Sequence, residues 1–284
     1  MNYKQAEKFL LQLSQAENEL PVSPELLGDL FQQTSEQCCV SLDEASLTIS
    51  KDQGLTSRIL AKANSAYYGV QGKISSISRA VNLLGLAELR KILLFVTVSS
   101  LGEKTRTDIF NLREYWDHQC FVAVLAAELS NICGRQDSQD LFISGILHDM
   151  GKLMTALYQP LAWARISETA LRKGLSHYQA EHEFWGIDHA MAGAMVLRRW
   201  NLPESITEPI NDHHSTQNAD ESYKSQAIIL NLADSISHNI NNDLFQAETL
   251  PFDQVGLNAE QAMNAAGQVS SDPSLSELKS LFTA

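Results

Sequence analysis

Cysteine is scarce in this 284-residue chain: there are four, Cys38, Cys39, Cys120 and Cys133. No two have Cys-x-x-Cys spacing, and Cys38 and Cys39 are too close for an ordinary bridge. They read as reduced packing residues in a reducing compartment. Glycine (14), proline (7) and aromatic residues (7%) are also few. Aliphatic side chains outnumber aromatic ones, which disfavours a β-sandwich and favours helices. No window reaches the roughly 18 apolar residues that a membrane-spanning helix needs. The start, Met1 to Gln5, carries no apolar signal-peptide core. A cytoplasmic location is therefore expected. Basic residues are outnumbered, 21 Lys and Arg against 34 Asp and Glu, for a net charge of −13. A field of that sign opposes direct binding to nucleic acid or to an anionic membrane. It leaves room for a nucleotide held by a metal or by a local Lys/Arg pocket. A Gly-rich phosphate loop, a Gly-x-Ser-x-Gly elbow, an alternating strand pattern and an internal repeat are all missing.

What is present is helical periodicity. Apolar residues make up 44% of the chain, and they recur at three- and four-residue steps almost throughout. Ser23-Pro24-Glu25 reads as a helix start, with Ser23 as N-cap and Pro24 at the first helical position. Ser41 and Glu44 form a capping box. Helices are predicted over 56–66, 77–84 (ending at Gly85), 88–101, 113–133, 139–157, 161–173 (closed by Gly174), 187–200, 203–213 and 225–239. The polar run Glu103 to Asp108 is the candidate boundary between two lobes. Beyond about Asn241 the periodicity weakens, which leaves a short helical extension or partial disorder open.

The most informative residues are His148 and Asp149, side by side after the apolar run Ile143 to Leu147. Burying both is costly unless something satisfies them, and a divalent metal would; the alternative is an N-cap or a salt-bridged pair. Adjacent residues lie about 100° apart around a helix, yet near a helix end both can converge on one ion. Gly145 and Gly151 allow close approach of a neighbouring helix. His118 falls in line with Val122, Leu125 and Leu129, on an apolar stripe. The alternative for His118 is a core histidine bonded to a backbone carbonyl. Asp234 follows Leu230 and Ala227 inside an apolar helix, where a lone aspartate usually pairs with a cation or caps something. Imidazole and carboxylate together suit Fe, Mn, Zn or Ni.

Three further histidines extend the set. His189 follows Asp188, and His213 and His214 follow Asp212. They could supply a second metal or contact a phosphate, although one of two neighbouring histidines is expected to face solvent. Asp149 could then bridge two ions, so one or two divalent ions are expected. Lys152, one helical turn after Asp149, could balance charge on a phosphate, or be an exposed lysine. His177, His182 and His238 fit no ligand spacing and read as surface residues. Arg165, Arg198 and Arg199 could line a phosphate pocket or be solvated. The chemistry such a set supports is metal-assisted hydrolysis, with Asp149 and Lys152 as its catalytic candidates.

The order His118, His148-Asp149, Asp234 resembles the HD superfamily of metal-dependent phosphohydrolases. The chain as a whole resembles HDOD proteins, the HD-related output domains of bacterial signalling. Leu20 to Pro24, Asp52 to Ala66, Ile77 to Gly85, His189 to Ala194, Trp200 to Pro203 and His213-His214 carry that resemblance over about residues 20–240. It implies an all-α fold. A helical N-terminal lobe (1–104) would pack on an HD-type helical metal-binding lobe (105–245), with a C-terminal tail (246–284). The family is usually read as regulatory modules that have lost the HD catalytic set; this chain departs from it by keeping His118, His148, Asp149, His189, His213 and Asp234. The retained set is also similar to that of HD-GYP cyclic di-GMP phosphodiesterases, but Ser215-Thr216-Gln217-Asn218 stands where Gly-Tyr-Pro would follow. The resemblance implies a signal-transduction protein with a divalent transition metal, acting through a protein partner. The alternative is an active phosphohydrolase on a nucleotide or other phosphate ester.

Overall fold

Thirteen α-helices and no β-strand make up the described residues of the computed structural model. Those residues are 3–13, 28, 31, 46–47, 49–50, 53–65, 68–69, 72–102, 104–105, 108–240 and 250–283. The helix starts expected at Ser23 and Ser41, Cys38 and Cys39, and parts of the polar run at 103–108 lie outside them. The helices are α1 (Tyr3–Leu13), α2 (Gln53–Ala63), α3 (Ile77–Gly102), α4 (Leu112–Ile132), α5 (Ser138–Leu147), α6 (Met150–Tyr158) and α7 (Pro160–Lys173). They continue with α8 (His177–Trp185), α9 (His189–Arg199), α10 (Glu204–Asp212), α11 (Lys224–Asn239), α12 (Ala259–Ser271) and α13 (Pro273–Thr283). No helix among the described residues is long and apolar enough to cross a membrane.

The predicted periodicity is realised with instructive exceptions. The break expected at Gly85 lies inside α3, where that glycine takes φ 79°, ψ 172°. Gly174 closes α7 in the left-handed conformation, as its position implied. The single helix expected over 139–157 is two helices, α5 and α6, with His148 and Asp149 at the junction. Likewise, 187–200 starts only at His189, because the Asp188 side chain accepts from the Met191 backbone N–H and caps α9. Helix α8 was not predicted at all. It opens on a capping box in which Ser176 and Gln179 exchange side-chain and backbone bonds.

The core centres on α4, whose Trp116, Cys120, Val122, Leu125 and Leu129 are buried. Helices α5, α11, α12 and α13 pack around it. Gly145 of α5 lies against the Ala123 backbone of α4, so closely that any Cβ there would collide with it. Gly151 of α6 meets the His189 carbonyl of α9 in the same way. The stretch beyond Asn241 is mostly helical where it is described. Phe282 of α13 stacks on Trp116 at 4.3 Å and meets Phe95 of α3 edge-on at 4.9 Å, so the last helix joins α3 to α4. At the other end of the chain, α1 packs on α6, α8 and α9. Its Phe9 stacks on Trp185 at 4.7 Å.

Candidate metal centre

Five places in the fold bring the histidines and aspartates together. His118 comes from α4, His148 and Asp149 from the α5–α6 junction, His189 from the first turn of α9, His213 and His214 from the end of α10, and Asp234 from α11. The junction explains how two neighbouring residues reach one point. Asp149 leaves the helical conformation (φ −95°, ψ 14°), and both side chains turn inward and are buried.

The first half of the centre is formed by His118, His148, Asp149 and Asp234. His118 Nε2 lies 3.2 Å from His148 Nε2, 3.2 Å from Asp234 Oδ1 and 3.6 Å from Asp149 Oδ2. His148 Nε2 is 3.5 Å from both Asp149 Oδ2 and Asp234 Oδ1. With metal–ligand distances of about 2.1 Å, the edges of a coordination tetrahedron are about 3.4 Å. The observed spacings, 3.2–3.6 Å, lie close to that length.

Hydrogen bonds on the far side of each ring fix which nitrogen faces inward. His148 Nδ1 donates to the Gly145 carbonyl at 2.8 Å, leaving the Nε2 lone pair for the centre. His118 Nδ1 is held by Ser237 Oγ at 2.9 Å. Two imidazole lone pairs and two carboxylates facing one another are stable only around positive charge. Burial alone would push the His148 imidazole down, but Asp149 and Asp234 outweigh it and raise it. Burial likewise pushes Asp149 up, and His148, Lys152 and His189 hold it well below the ordinary carboxylate range. Asp234 is also held well below that range: His118 and His148 outweigh its burial.

The second half is formed by His189, His213 and His214 with the other oxygen of Asp149. His189 Nε2 is 3.1 Å from Asp149 Oδ1 and 2.8 Å from His214 Nε2. The nitrogens of His189, His213 and His214 lie within 4.8 Å of one another. His213 Nδ1 donates to the Ile210 carbonyl at 2.7 Å, so its buried Nε2 carries a lone pair. That Nε2 makes no hydrogen bond, and a buried acceptor left so costs about 1–3 kcal/mol. Asp149 Oδ1 and Asp234 Oδ1 instead face histidine nitrogens, at 3.1 Å from His189 and 3.2 Å from His118. Burial, His148 and His189 push His213 down to about 4, which keeps it neutral. Burial, His213 and His189 push His214 down as well. The donor set therefore fits divalent metal, with Asp149 facing both halves.

The His213–His214 pair divides as expected: His213 is fully buried, and His214 is half-buried and borders the cleft, stacked with Tyr178 at 4.8 Å. Several other expectations need correcting. His238 is exposed, yet its Nε2 lies 3.3 Å from Asp234 Oδ1 and its ring stacks on His118 at 4.5 Å. His177 is half-buried and bonds Glu181 Oε1 at 3.1 Å. His182 is a surface residue, as expected, paired with Asp188. Lys152 is not an exposed lysine: its Nζ donates to Asp149 Oδ2 at 2.7 Å. Burial pushes its pKa down, but Asp149 and Asp234 outweigh that and keep it charged. Arg165 and Arg199 are exposed, and Arg198 is engaged with Glu208.

Sequence reasoning missed Glu181. It is 1% exposed, and its Oε2 accepts from both the ring Nδ1 (2.7 Å) and the backbone N–H (2.8 Å) of His189. The signal available was the Ser176…Gln179 capping box, which would have placed Glu181 on a helix of its own, eight residues before His189.

A cleft of about 480 Å³ opens beside the centre. Lys152, His177, Tyr178, His214, Asp234 and His238 are among its walls.

Known proteins share this architecture. An HDOD domain protein of unknown function from Geobacter sulfurreducens superposes with a TM-score of 0.73 at 22% identity, covering 97% of this chain and 96% of that one. A candidate phosphohydrolase from Shewanella amazonensis SB2B gives 0.70 at 24% identity, with 95% and 97% covered. A candidate signal transduction protein from Marinobacter aquaeolei VT8 gives 0.77 at 17% identity, covering all of this chain and 67% of that one. At these identities the likeness is one of fold. An uncharacterized protein of Treponema pallidum (strain Nichols) is 26% identical over 221 residues, which is 78% of this chain and 42% of that protein. The chain thus spans less than half the length of this curated relative. The HDOD domain model matches residues 20–216, and the chain belongs to the HDOD domain family.

Proposed function

We propose that this chain is a cytoplasmic signal-transduction protein of HDOD type whose His–Asp centre holds divalent transition metal and hydrolyses a phosphate ester. One observation carries this reading: seven donor residues from five places in the fold converge beside an open cleft, with ligand atoms within 4.8 Å of one another in each group. His118, His148, Asp149 and Asp234 would hold one ion. His189, His213 and His214, with the second oxygen of Asp149, would hold another. Fe, Mn, Zn and Ni all suit such donors. A bound divalent ion supplies Lewis acidity and lowers the pKa of water towards neutral.

The remaining work falls to the chain itself. Lys152 keeps Asp149 ionised and sets a positive charge at the cleft edge, where a phosphoryl oxygen would lie. Asp149 offers one oxygen to each half and so fixes their separation. His177 and His238 line the cleft and offer donors to an ester's other oxygens. A nucleotide or a smaller phosphate ester matches these groups.

A second reading has its own support. Among the described residues, Lys152 is the only Lys or Arg on the cleft wall, and Asp149 already engages it. A metal that stabilises the lobe while a protein partner reads its surface would need no further cation. Elemental analysis of untagged protein, beside a His148→Ala/Asp149→Ala double variant, tests the centre. Turnover of a panel of nucleotides and phosphate monoesters then separates the readings. Metal lost in the variant together with turnover supports the hydrolase. Metal without turnover of any ester supports the partner-acting module. No metal after reconstitution rejects both.

A further inference from the structure

Glu181 is a charged side chain buried where charge is costly. Three hydrogen bonds hold it. Oε2 accepts both the ring Nδ1–H and the backbone N–H of His189, and Oε1 meets His177 Nδ1. Burial pushes its carboxyl up, but His189 and His177 outweigh that and bring it down to about 2. One carboxylate thus spans a ring in the centre and a ring on the cleft wall, 6.5 Å apart.

An imidazole has two nitrogens, and a metal takes whichever presents its lone pair. A carboxylate that accepts the Nδ1 proton leaves the lone pair on Nε2, fixes the ring's rotation and raises its basicity. His189 Nε2 is the nitrogen that points at Asp149 and His214. For His148 and His213 a backbone carbonyl does this task. His189 alone among these three is set by a side chain, itself anchored on a different helix.

We propose that Glu181 is a positioning residue of the second half of the centre: with His177 as its anchor, its carboxylate holds His189 in the Nδ1–H form with Nε2 turned towards Asp149 and His214. This rests on the reading that the centre binds divalent metal.

The test is a Co2+ titration of the full untagged chain, followed by its visible spectrum, for wild type, Glu181→Gln and Glu181→Met. Gln keeps an oxygen where Oε2 stands and so keeps both His189 bonds. Met keeps the volume and removes the acceptor. The expected result is two bound ions in the wild type. Glu181→Met weakens one of them by about 10- to 100-fold and leaves the other unchanged, while Glu181→Gln restores that ion to within about tenfold of wild type. Equal weakening by Met and Gln overturns the proposal, as does wild-type binding in Glu181→Met, loss of both ions there, or a wild type that binds one ion only. A wild type that binds no Co2+ overturns the metal reading and this proposal together. Long-range 1H–15N spectra of the Zn2+-loaded wild type supply a result independent of any variant's folding. A proton on His189 Nδ1 is expected, and its absence overturns the proposal.

Discussion

The two halves of the His–Asp centre are built differently. The first sets two imidazoles against two carboxylates, at spacings of 3.2–3.6 Å. Its donors come from the middle of α4, the α5–α6 junction and α11, all seated on the main core. The second gathers three imidazoles from the ends of α9 and α10 and the other oxygen of Asp149. It has less negative charge to offset a divalent ion, and it leans on Glu181 for orientation. Charge and rigidity both favour the first half, so it should bind its ion more tightly and release it last.

The residue that belongs to both halves gives the largest effect. Asp149→Ala is expected to lose all bound metal by elemental analysis, and with it any phosphoesterase turnover. Retention of one ion would show that the halves fill independently of the shared carboxylate. Next come the residues that belong to one half. Asp234→Ala should remove the tight ion and His214→Ala the weak one, each leaving one equivalent. Thermal melts report the same difference. A ligand at 100 times its dissociation constant stabilises by about 2.7 kcal/mol, so His214→Ala should keep most of the metal-induced rise in Tm and Asp234→Ala should lose most of it. The opposite ranking would reverse the comparison.

Two glycines sharpen the contrast at the level of packing. Gly145 holds α5 against α4 and so serves the first half; Gly151 holds α6 against α9 and serves the second. Alanine at either position meets backbone rather than a flexible side chain, so each should destabilise by about 1–3 kcal/mol in urea unfolding. The variants should part in metal content. Gly151→Ala should shed the weak ion first, because His189 is the residue it displaces. If both glycine variants lose the same ion, α9 is not the element that distinguishes the halves.

Much of this was legible in the sequence, for physical reasons. His118, Asp234 and the His148–Asp149 pair stand out because each interrupts an apolar helical stripe, where a polar group needs a partner. His189, His213 and His214 were reached through spacing and resemblance together. The break at His148–Asp149 was not legible, since no proline or glycine sits between α5 and α6; burial of both side chains overrides a sequence that reads as one helix. Helix α8 was hidden because it buries little: Ala180, Trp185 and the charged Glu181 are its buried residues. Apolar periodicity cannot detect a helix held by a buried carboxylate. His238 carried a usable clue, four residues after Asp234 and so on the same helix face.

The smallest effect serves as the control for the comparison. Asp137 precedes α5 and binds Ser130 Oγ at 2.7 Å and Arg135 Nε at 3.0 Å, tying the end of α4 to the start of α5, about 18 Å along α4 from His118. Burial pushes its carboxyl up, but Arg135 and Ser130 outweigh that and lower it. A carboxylate whose folded pKa is depressed adds stability above its unfolded value of about 3.9, and that stability is lost as pH falls through the folded value. Because the pair is partly exposed, solvent screening limits it to about 1 kcal/mol. Asp137→Ala should therefore lose about that much in urea unfolding at pH 7, and the gap to wild type should close as pH falls below about 4. Its metal content should match wild type in both halves. A lost ion in this variant would mean that the α4–α5 junction sets the geometry of the first half. The tightness of that half would then come from its scaffold more than from its two carboxylates.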